Sequence, residues 1–219
     1  MASAADLTLD ELRLELAPEI ALAAIFDGWS DAAVVSASKV AGVDPAVARL
    51  AFPDGAMDMI AAWVASVDAR MEAAFDGGVL AQMPVRERIR ALVWFRLEAV
   101  AGLEEALRRA LAIQAMPQNL ARTAKLGWAS ADVMWRLAGD TATDYNHYSK
   151  RAILAGIYAA TLTVFVEDES AGKAETRAFL DRRIEGVMRF EKTKARWKGR
   201  AGQHFSPSRF LGRLRYPAI

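Results

Sequence analysis

Residues 28–55, GWSDAAVVSASKVAGVDPAVARLAFPDG, decide the fold. Gly28-Trp29-Ser30 interrupts one helix, and Ser30 or Asp31 offers an N-cap to the next, which runs through Val40. Gly42 ends that helix. Asp44 then caps a third, with Pro45 at the first helical position, where a missing N–H costs nothing. It reaches about Ala51, and Phe52-Pro53-Asp54-Gly55 is a turn. Upstream, residues 8–26 form the first helix, with Thr8 and Asp10 available as caps and Leu12, Leu16, Ile20 and Ala23 on one stripe. The spacing predicts three short helices in a helix-turn-helix rhythm.

The rest of the chain also reads as helix. Alternating apolar and polar strands are missing and alanine is abundant. A helix over about 57–75 closes at Gly77-Gly78. Pro84 opens one long helix to about Gln114, with Ile89, Val93, Leu97, Val100, Leu103 and Leu107 on one face. Arg86, Arg88, Arg90, Arg96, Arg108 and Arg109 decorate it and read as a solvated face. Gln118 or Asn119 caps a helix to Ala138, which Gly139 terminates. Thr143 caps another, ending near Val166. After the loop Glu167-Asp168-Glu169-Ser170, a final helix covers about 174–198, with Leu180, Ile184, Val187 and Met188 as its stripe. Three parts result: a helix-turn-helix-like subdomain (1–55), a helical bundle (56–198) and a tail (199–219).

Composition narrows the function. The 219 residues are 53% apolar, ample for a core, and contain no cysteine. Disulfides, thiol catalysis and cysteine-ligated metals are thereby excluded. No apolar run approaches the roughly 20 residues that span a bilayer. The first residues, MASAADLTLDELRLEL, are acidic and lack a basic leader pattern, so a cytoplasmic, bacterial protein is expected. The net charge of +1 hides an asymmetry. Residues 192–219 carry eight lysines and arginines and no acid, which leaves residues 1–191 at −7. In the tail, Phe205, Phe210, Leu211, Leu214 and Tyr216 interleave with Arg209, Arg213 and Arg215, a pattern suited to an anionic lipid surface.

Specific nucleic-acid binding is not expected. The third helix, PAVARLAF, has Arg49 as its single charge and the second offers only Lys39, too few to meet phosphates and base edges. Asp144 and His147 stand at i, i+3, half of the acid-x-x-His ligand set of a di-iron bundle, but no second pair exists. No metal and no cofactor is expected. Ser149, Ser170 and Lys150 assemble no nucleophile-base-orienter trio, so no catalytic residue is expected either.

The N-terminal rhythm resembles tetracycline-repressor-type regulators. The block WRLAGDTATDYNHYSKRAILAGIYAATL (135–162), then EDES and AFLDRRI, resembles the Coq-nine family, a lipid-binding accessory protein of ubiquinone (coenzyme Q) biosynthesis; the resemblance covers about residues 9–198. It implies an all-α, tetracycline-repressor-like fold that has lost DNA binding, forms a homodimer and has no catalysis of its own. It also implies an internal apolar pocket for an isoprenoid quinone or other lipid, and assistance to the di-iron hydroxylase that acts on demethoxyubiquinone. The hydroxylase docking face corresponds to Asp144, Asn146, His147, Tyr148, Lys150 and Arg151. The family often carries Trp where this chain has His147, and its longer members end in an extended amphipathic membrane helix where this tail is short and broken. The protein is thus expected to sit peripherally on the bacterial inner membrane. Two other classes remain, a ligand-responsive transcription regulator and a small di-iron enzyme.

Three expectations follow for the structure. Trp94, Leu97, Trp128, Met134, Leu154 and Tyr158 wall the pocket. The helices over about 144–166 and 174–198 pair across a two-fold axis through Ala152, Ala155, Ala159, Leu162, Leu180, Ile184 and Val187. Asp144, His147, Tyr148 and Arg151 share one side of their helix and form the docking face, with Asn146 and Lys150 at its rim. A competing role for that block is to cap and ion-pair the Gly139–Thr143 corner.

Overall fold

The computed structural model describes residues 7–143 and 145–201; the side chains of Tyr145, Met188 and residues 190–201 lie outside that description. Nine α-helices follow one another among the described residues: α1 (Leu9–Asp27), α2 (Asp31–Ala41), α3 (Pro45–Leu50), α4 (Ala56–Ala74), α5 (Val85–Glu98), α6 (Glu104–Gln114), α7 (Leu120–Leu137), α8 (Tyr145–Glu167) and α9 (Ala174–Ala201). No described residue lies in a strand. The chain divides into two compact units, 1–180 and 181–219.

The caps expected at the N-terminus are present. Thr8 and Glu11 form a reciprocal capping box on α1, and Asp44 accepts from the Ala46 amide at the start of α3. Trp29, in the α1–α2 break, is an anchor. Its indole N–H donates to the Ala106 carbonyl at 2.9 Å, and its ring lies 5.3 Å from that of Trp63 on α4. That tethers the first three helices to α4 and α6, and α1 packs on α2, α4 and α6.

The long helix expected from Pro84 to Gln114 is two helices. The chain turns at Ala99–Leu103, through tight backbone bonds from Val100 to Leu97 and from Ala101 to Glu98. Gly102, at φ +83°, takes the left-handed step that other residues resist. Both halves keep the helical period, so the apolar stripe reads straight across the bend. The turn re-aims α6 so that it packs on α8 as well as on α4 and α1.

Helix α8 departs from expectation in another way. Its Asn146–Glu167 segment is 22 residues long, with mean hydropathy 1.3, long and apolar enough by length and composition to cross a membrane. Alanines, glycine and threonines between the larger residues keep any charge-free run from standing out by eye. In the fold, Arg151, Leu154, Tyr158, Thr161 and Phe165 bury one stripe of this helix, recurring at three- and four-residue steps, and α8 packs on α5, α6 and α7. Lys173 closes its C-terminus, donating to the carbonyls of Phe165 and Asp168 at 3.2 and 2.8 Å.

The arginines of α5 and α6 are not one solvated face. Arg96 is 1% exposed. Arg88 donates to the carbonyls of Ala81, Met83 and Ala138, and Arg109 to those of Ala24 and Phe26. These side chains tie off loop and helix-end carbonyls that would otherwise lack partners.

Candidate functional site: an apolar cavity and the corner beside it

Within residues 1–180, helices α4, α5, α6, α7 and α8 and the α5–α6 bend line a partly open cavity of about 570 Å³, whose rim includes the exposed Leu120, Ala152 and Ala159. That volume falls within the usual range of ligand pockets. Trp63, Val67, Leu107, Leu111, Trp128 and Leu162 are among its apolar walls. Small residues on the facing helices, Ala124, Gly127, Ala155 and Ala159, also line it. Larger residues there would fill the space, so sequence spacing opens the cavity as much as helix placement does.

Gln114, Thr123 and Thr163 also line the cavity, and a further stretch of wall is polar. Arg96, Ser130 and Tyr158 line the cavity together. The Arg96 guanidinium pairs with Asp68 of α4 and donates to the Ser130 hydroxyl at 3.1 Å, while that hydroxyl donates to Asp68 at 3.1 Å. The Tyr158 ring faces the guanidinium at 4.8 Å. Among the described residues, the buried Arg96 Nε–H has no hydrogen-bond partner.

Of the residues expected to wall the pocket, Trp128 and Tyr158 are on its surface. Leu97, Met134 and Leu154 are buried in the core around it. Trp94 lies on the far side of α5, where the Arg177 guanidinium stacks 3.5 Å above its ring and its indole N–H meets Glu98. Arg96, expected on a solvated face, is buried here, and Asp68 and Ser130 were not expected at a site. Helical phase carried the signal for Arg96, which stands seven residues after Ile89 and three after Val93, within the apolar stripe.

Beside the cavity, the α7–α8 corner gathers the other block. Gly139, at φ +82°, ends α7 in a Schellman arrangement, with Asp140 N donating to the Trp135 carbonyl and Gly139 N to that of Arg136. Asp140 accepts from Lys150 at 2.6 Å and from Arg151 at 3.1 Å; Arg151 also donates to Asp132 at 2.5 Å and to the His147 carbonyl. Burial raises the Asp140 carboxyl pKa, but the Lys150 and Arg151 bonds outweigh it and hold the group below its ordinary value. Asp132 is lowered in the same way, with burial opposed chiefly by Arg151. The Trp135 indole donates to the Lys150 carbonyl at 3.0 Å.

This geometry splits the expected docking side. Arg151 is 2% exposed and belongs to the corner's ion network, not to the surface. Tyr148 is 61% exposed, Asn146 is exposed, and His147 and Lys150 are half-buried. Asp144 lies outside the described residues, as do Phe205, Arg209, Phe210, Leu211, Arg213, Leu214 and Tyr216 of the tail. Trp128 joins the two regions. It lines the cavity, and its ring lies 6.0 Å from Tyr148 and 6.4 Å from His147. Among the described residues, no group of three or more His, Asp and Glu side chains is arranged to hold a metal.

Residues 120–191 match the COQ9 family model. The rat protein named "Ubiquinone biosynthesis protein COQ9, mitochondrial" is 33% identical over 168 residues, 74% of this chain and 54% of that protein. Its human counterpart is 30% identical over the same length, 74% of this chain and 52% of that protein. Over this shared segment the chain is similar to the COQ9 family. It spans about half the length of the curated relatives it matches. The COQ9 family-model match begins with the first residue of α7 and takes in Trp128, Ser130, the corner and Tyr158. Asp68 and Arg96 stand outside it. The solved structure of a TetR transcriptional regulator from Nitrosomonas europaea superposes with a TM-score of 0.62 at 20% identity, over 79% of this chain and 95% of that one. That likeness shows the fold, which is the all-α, tetracycline-repressor-like bundle expected from the sequence.

Proposed function

We propose that this protein is a non-catalytic, lipid-binding accessory protein of ubiquinone biosynthesis. It holds an isoprenoid quinone intermediate in the cavity and assists the di-iron hydroxylase that acts on demethoxyubiquinone. The observation that carries the reading is the cavity of about 570 Å³, walled by apolar side chains, in a chain related to proteins named for ubiquinone biosynthesis. A prenyl chain gains favourable transfer energy in such a space, and little there supports bond-making chemistry. The hydroxylase docks on the exposed start of α8, around Asn146, His147, Tyr148 and Lys150.

The protein is a homodimer joined through α8 and α9, and it works peripherally on the bacterial inner membrane. Of the residues expected at the seam, Ala152 and Ala159 are exposed, Ala155, Leu162 and Val187 are half-buried, and Leu180 and Ile184 are buried within the chain and do not reach it. Ile153 and Gly156 extend the exposed side of α8, where small side chains let helices approach closely. The regulator reading is weaker. Arg49, the one charged side chain on α3, is held by two bonds to Asp31, at 2.7 and 2.9 Å. The same helix exposes Val47 and Leu50, poor partners for phosphate.

Mass spectrometry of lipid copurifying with the protein tests the central claim. A prenylated quinone or quinone precursor is expected. Protein that carries no lipid and takes up none from quinone-loaded vesicles overturns the reading. Light scattering at micromolar concentration tests the dimer, and a monomer mass overturns it.

A further inference from the structure

We propose that a second copy of this chain closes the open side of the cavity, so that the lipid site is complete only in the dimer. The inference rests on the lipid and dimer readings above and joins them: the seam between copies is the lid of each cavity.

Three observations support it. First, the exposed lining residues mark the opening. They are Ala115 at the end of α6, Leu120 and Ala124 on α7, and Ala152, Ala159 and Thr163 on α8. Little of that edge calls for water. The Thr163 hydroxyl donates to the Ala160 carbonyl at 2.8 Å and that of Thr123 to the Gln114 carbonyl at 2.9 Å. A lipid seated in a lone protomer would leave apolar surface in water along this edge, at a cost that grows with the area. Second, the opening runs into the exposed side of α8. Ala152, Gly156, Ala159 and Thr163 follow at four-, three- and four-residue steps on one exposed stripe, so the rim and the seam share Ala152 and Ala159. A Cβ at Gly156 would meet nothing within 4 Å, which leaves room for a neighbouring helix over the middle of the stripe. Third, charge selects the occupant. Residues 152–166 contain no charged side chain. A two-fold axis sets this stripe against its own image, and an uncharged face meets its image with no like charges opposed. A basic segment or an anionic bilayer finds no counter-charge on it.

Gly156→Glu tests this without touching the cavity wall, which Gly156 does not line. In a two-fold seam it brings two carboxylates together, whereas in a lone protomer its side chain enters open space. Light scattering at micromolar concentration gives the mass, and calorimetric titration gives the affinity for a decyl-substituted 1,4-benzoquinone. Wild type is expected to be a dimer that binds the quinone. The variant is expected to be a folded monomer by circular dichroism. Its affinity is expected to be about tenfold weaker, the effect of roughly 55 Å² of apolar probe surface left in water. Linkage requires the converse, so added quinone is expected to lower the wild-type dimer dissociation constant by about tenfold or more in sedimentation. If the variant does not fold, that shift alone decides. A folded monomer with wild-type affinity, or a dimer constant unmoved by quinone, overturns the shared lid and leaves the lipid cavity standing. A variant that stays dimeric overturns the seam at Gly156 and the lid with it. A wild-type monomer that binds quinone overturns the second copy as occupant; tighter binding on adding phosphatidylcholine vesicles would then assign the opening to a bilayer. Failure of wild type to bind the quinone overturns the lipid cavity and this inference with it.

Discussion

Two buried arginines, one on the cavity wall and one at the α7–α8 corner, are finished differently. Arg151 at the corner donates to Asp132, Asp140 and the His147 carbonyl. Arg96 on the wall meets Asp68 and Ser130 and keeps one N–H without a partner. The first closes a network and is architecture. The second belongs to the polar part of the cavity wall and carries one buried N–H unmet among the described residues. Burial and charge alone do not tell the two apart; the account of hydrogen bonds does.

The hardest test of that contrast is Arg151→Ala. Removing Arg151 takes one of two cations from Asp140, whose side chain is 5% exposed, and leaves it Lys150 at 2.6 Å. A loss of about 2–3 kcal/mol is expected, less than for a buried charge left wholly unpaired. For a chain of this size it lowers the melting temperature by on the order of 10 °C. Calorimetry or thermal circular dichroism reads it. A melting temperature within about 2 °C of wild type would show that the corner network is not structural and return Arg151 to the docking face.

The corner's backbone is tested more gently. Gly139→Ala places a Cβ at φ +82°, 3.1 Å from Arg88 Nη1. The left-handed conformation costs roughly 1–2 kcal/mol in a residue with a side chain, and Arg88 must shift while still bonding the Ala138 carbonyl. Denaturant unfolding is expected to show a lower midpoint at unchanged slope.

A third buried charge sharpens the comparison, because among the described residues its carboxylate is held by hydrogen bonds and not by an ion pair. Asp168, 4% exposed, accepts from the amides and hydroxyls of both Ser170 and Thr176. Burial pushes its pKa up, but those four donors prevail and hold it well below the ordinary carboxylate range. A depressed folded-state pKa contributes stability above the unfolded value, and that contribution is lost as pH falls through the folded one. Asp168→Ala is expected to cost about 1 kcal/mol at pH 7, as a lost helix-start acceptor does. The deficit against wild type is expected to narrow as pH drops below about 4. A deficit that widens in acid contradicts the assigned direction.

How much of this was legible in the sequence depends on which physics decided it. Capping and turn chemistry is local, so Thr8, Asp44-Pro45 and Gly139 announced themselves, and the fold class followed. The break at Ala99–Leu103 was hidden because both halves keep one apolar stripe, and a single Gly102 was a weak sign against it. The polar wall was missed for a different reason. Arg96, Asp68 and Ser130 are 28 and 34 residues apart in sequence measured from Arg96, and only packing of α4, α5 and α7 brings them together. Two of the six residues expected to line the pocket, Trp128 and Tyr158, reach it. Bulk and apolarity mark a residue as inside, but they do not separate cavity wall from solid core, which depends on small residues such as Gly127 and Ala155.

The smallest stability effect belongs to Tyr148, the residue that separates docking from architecture most cleanly. Its side chain is 61% exposed, and its ring contacts are with His147 at 5.1 Å and Trp128 at 6.0 Å. Truncation at such a place removes little buried area, so Tyr148→Ala is expected to stay within about 0.5 kcal/mol of wild type. Exposed aromatics, by contrast, are frequent anchors of interfaces, and losing one costs about 2 kcal/mol or more of binding. Roughly a thirtyfold weaker interaction with the hydroxylase is therefore expected in a quantitative pull-down. Lipid content and molecular mass should not change. Because the Tyr148 ring touches Trp128 on the cavity wall, the same variant also asks whether the two regions are independent. Loss of copurifying lipid together with partner binding would show that the corner holds the wall in place. Loss of partner binding alone would show that the surface and the cavity do separate work.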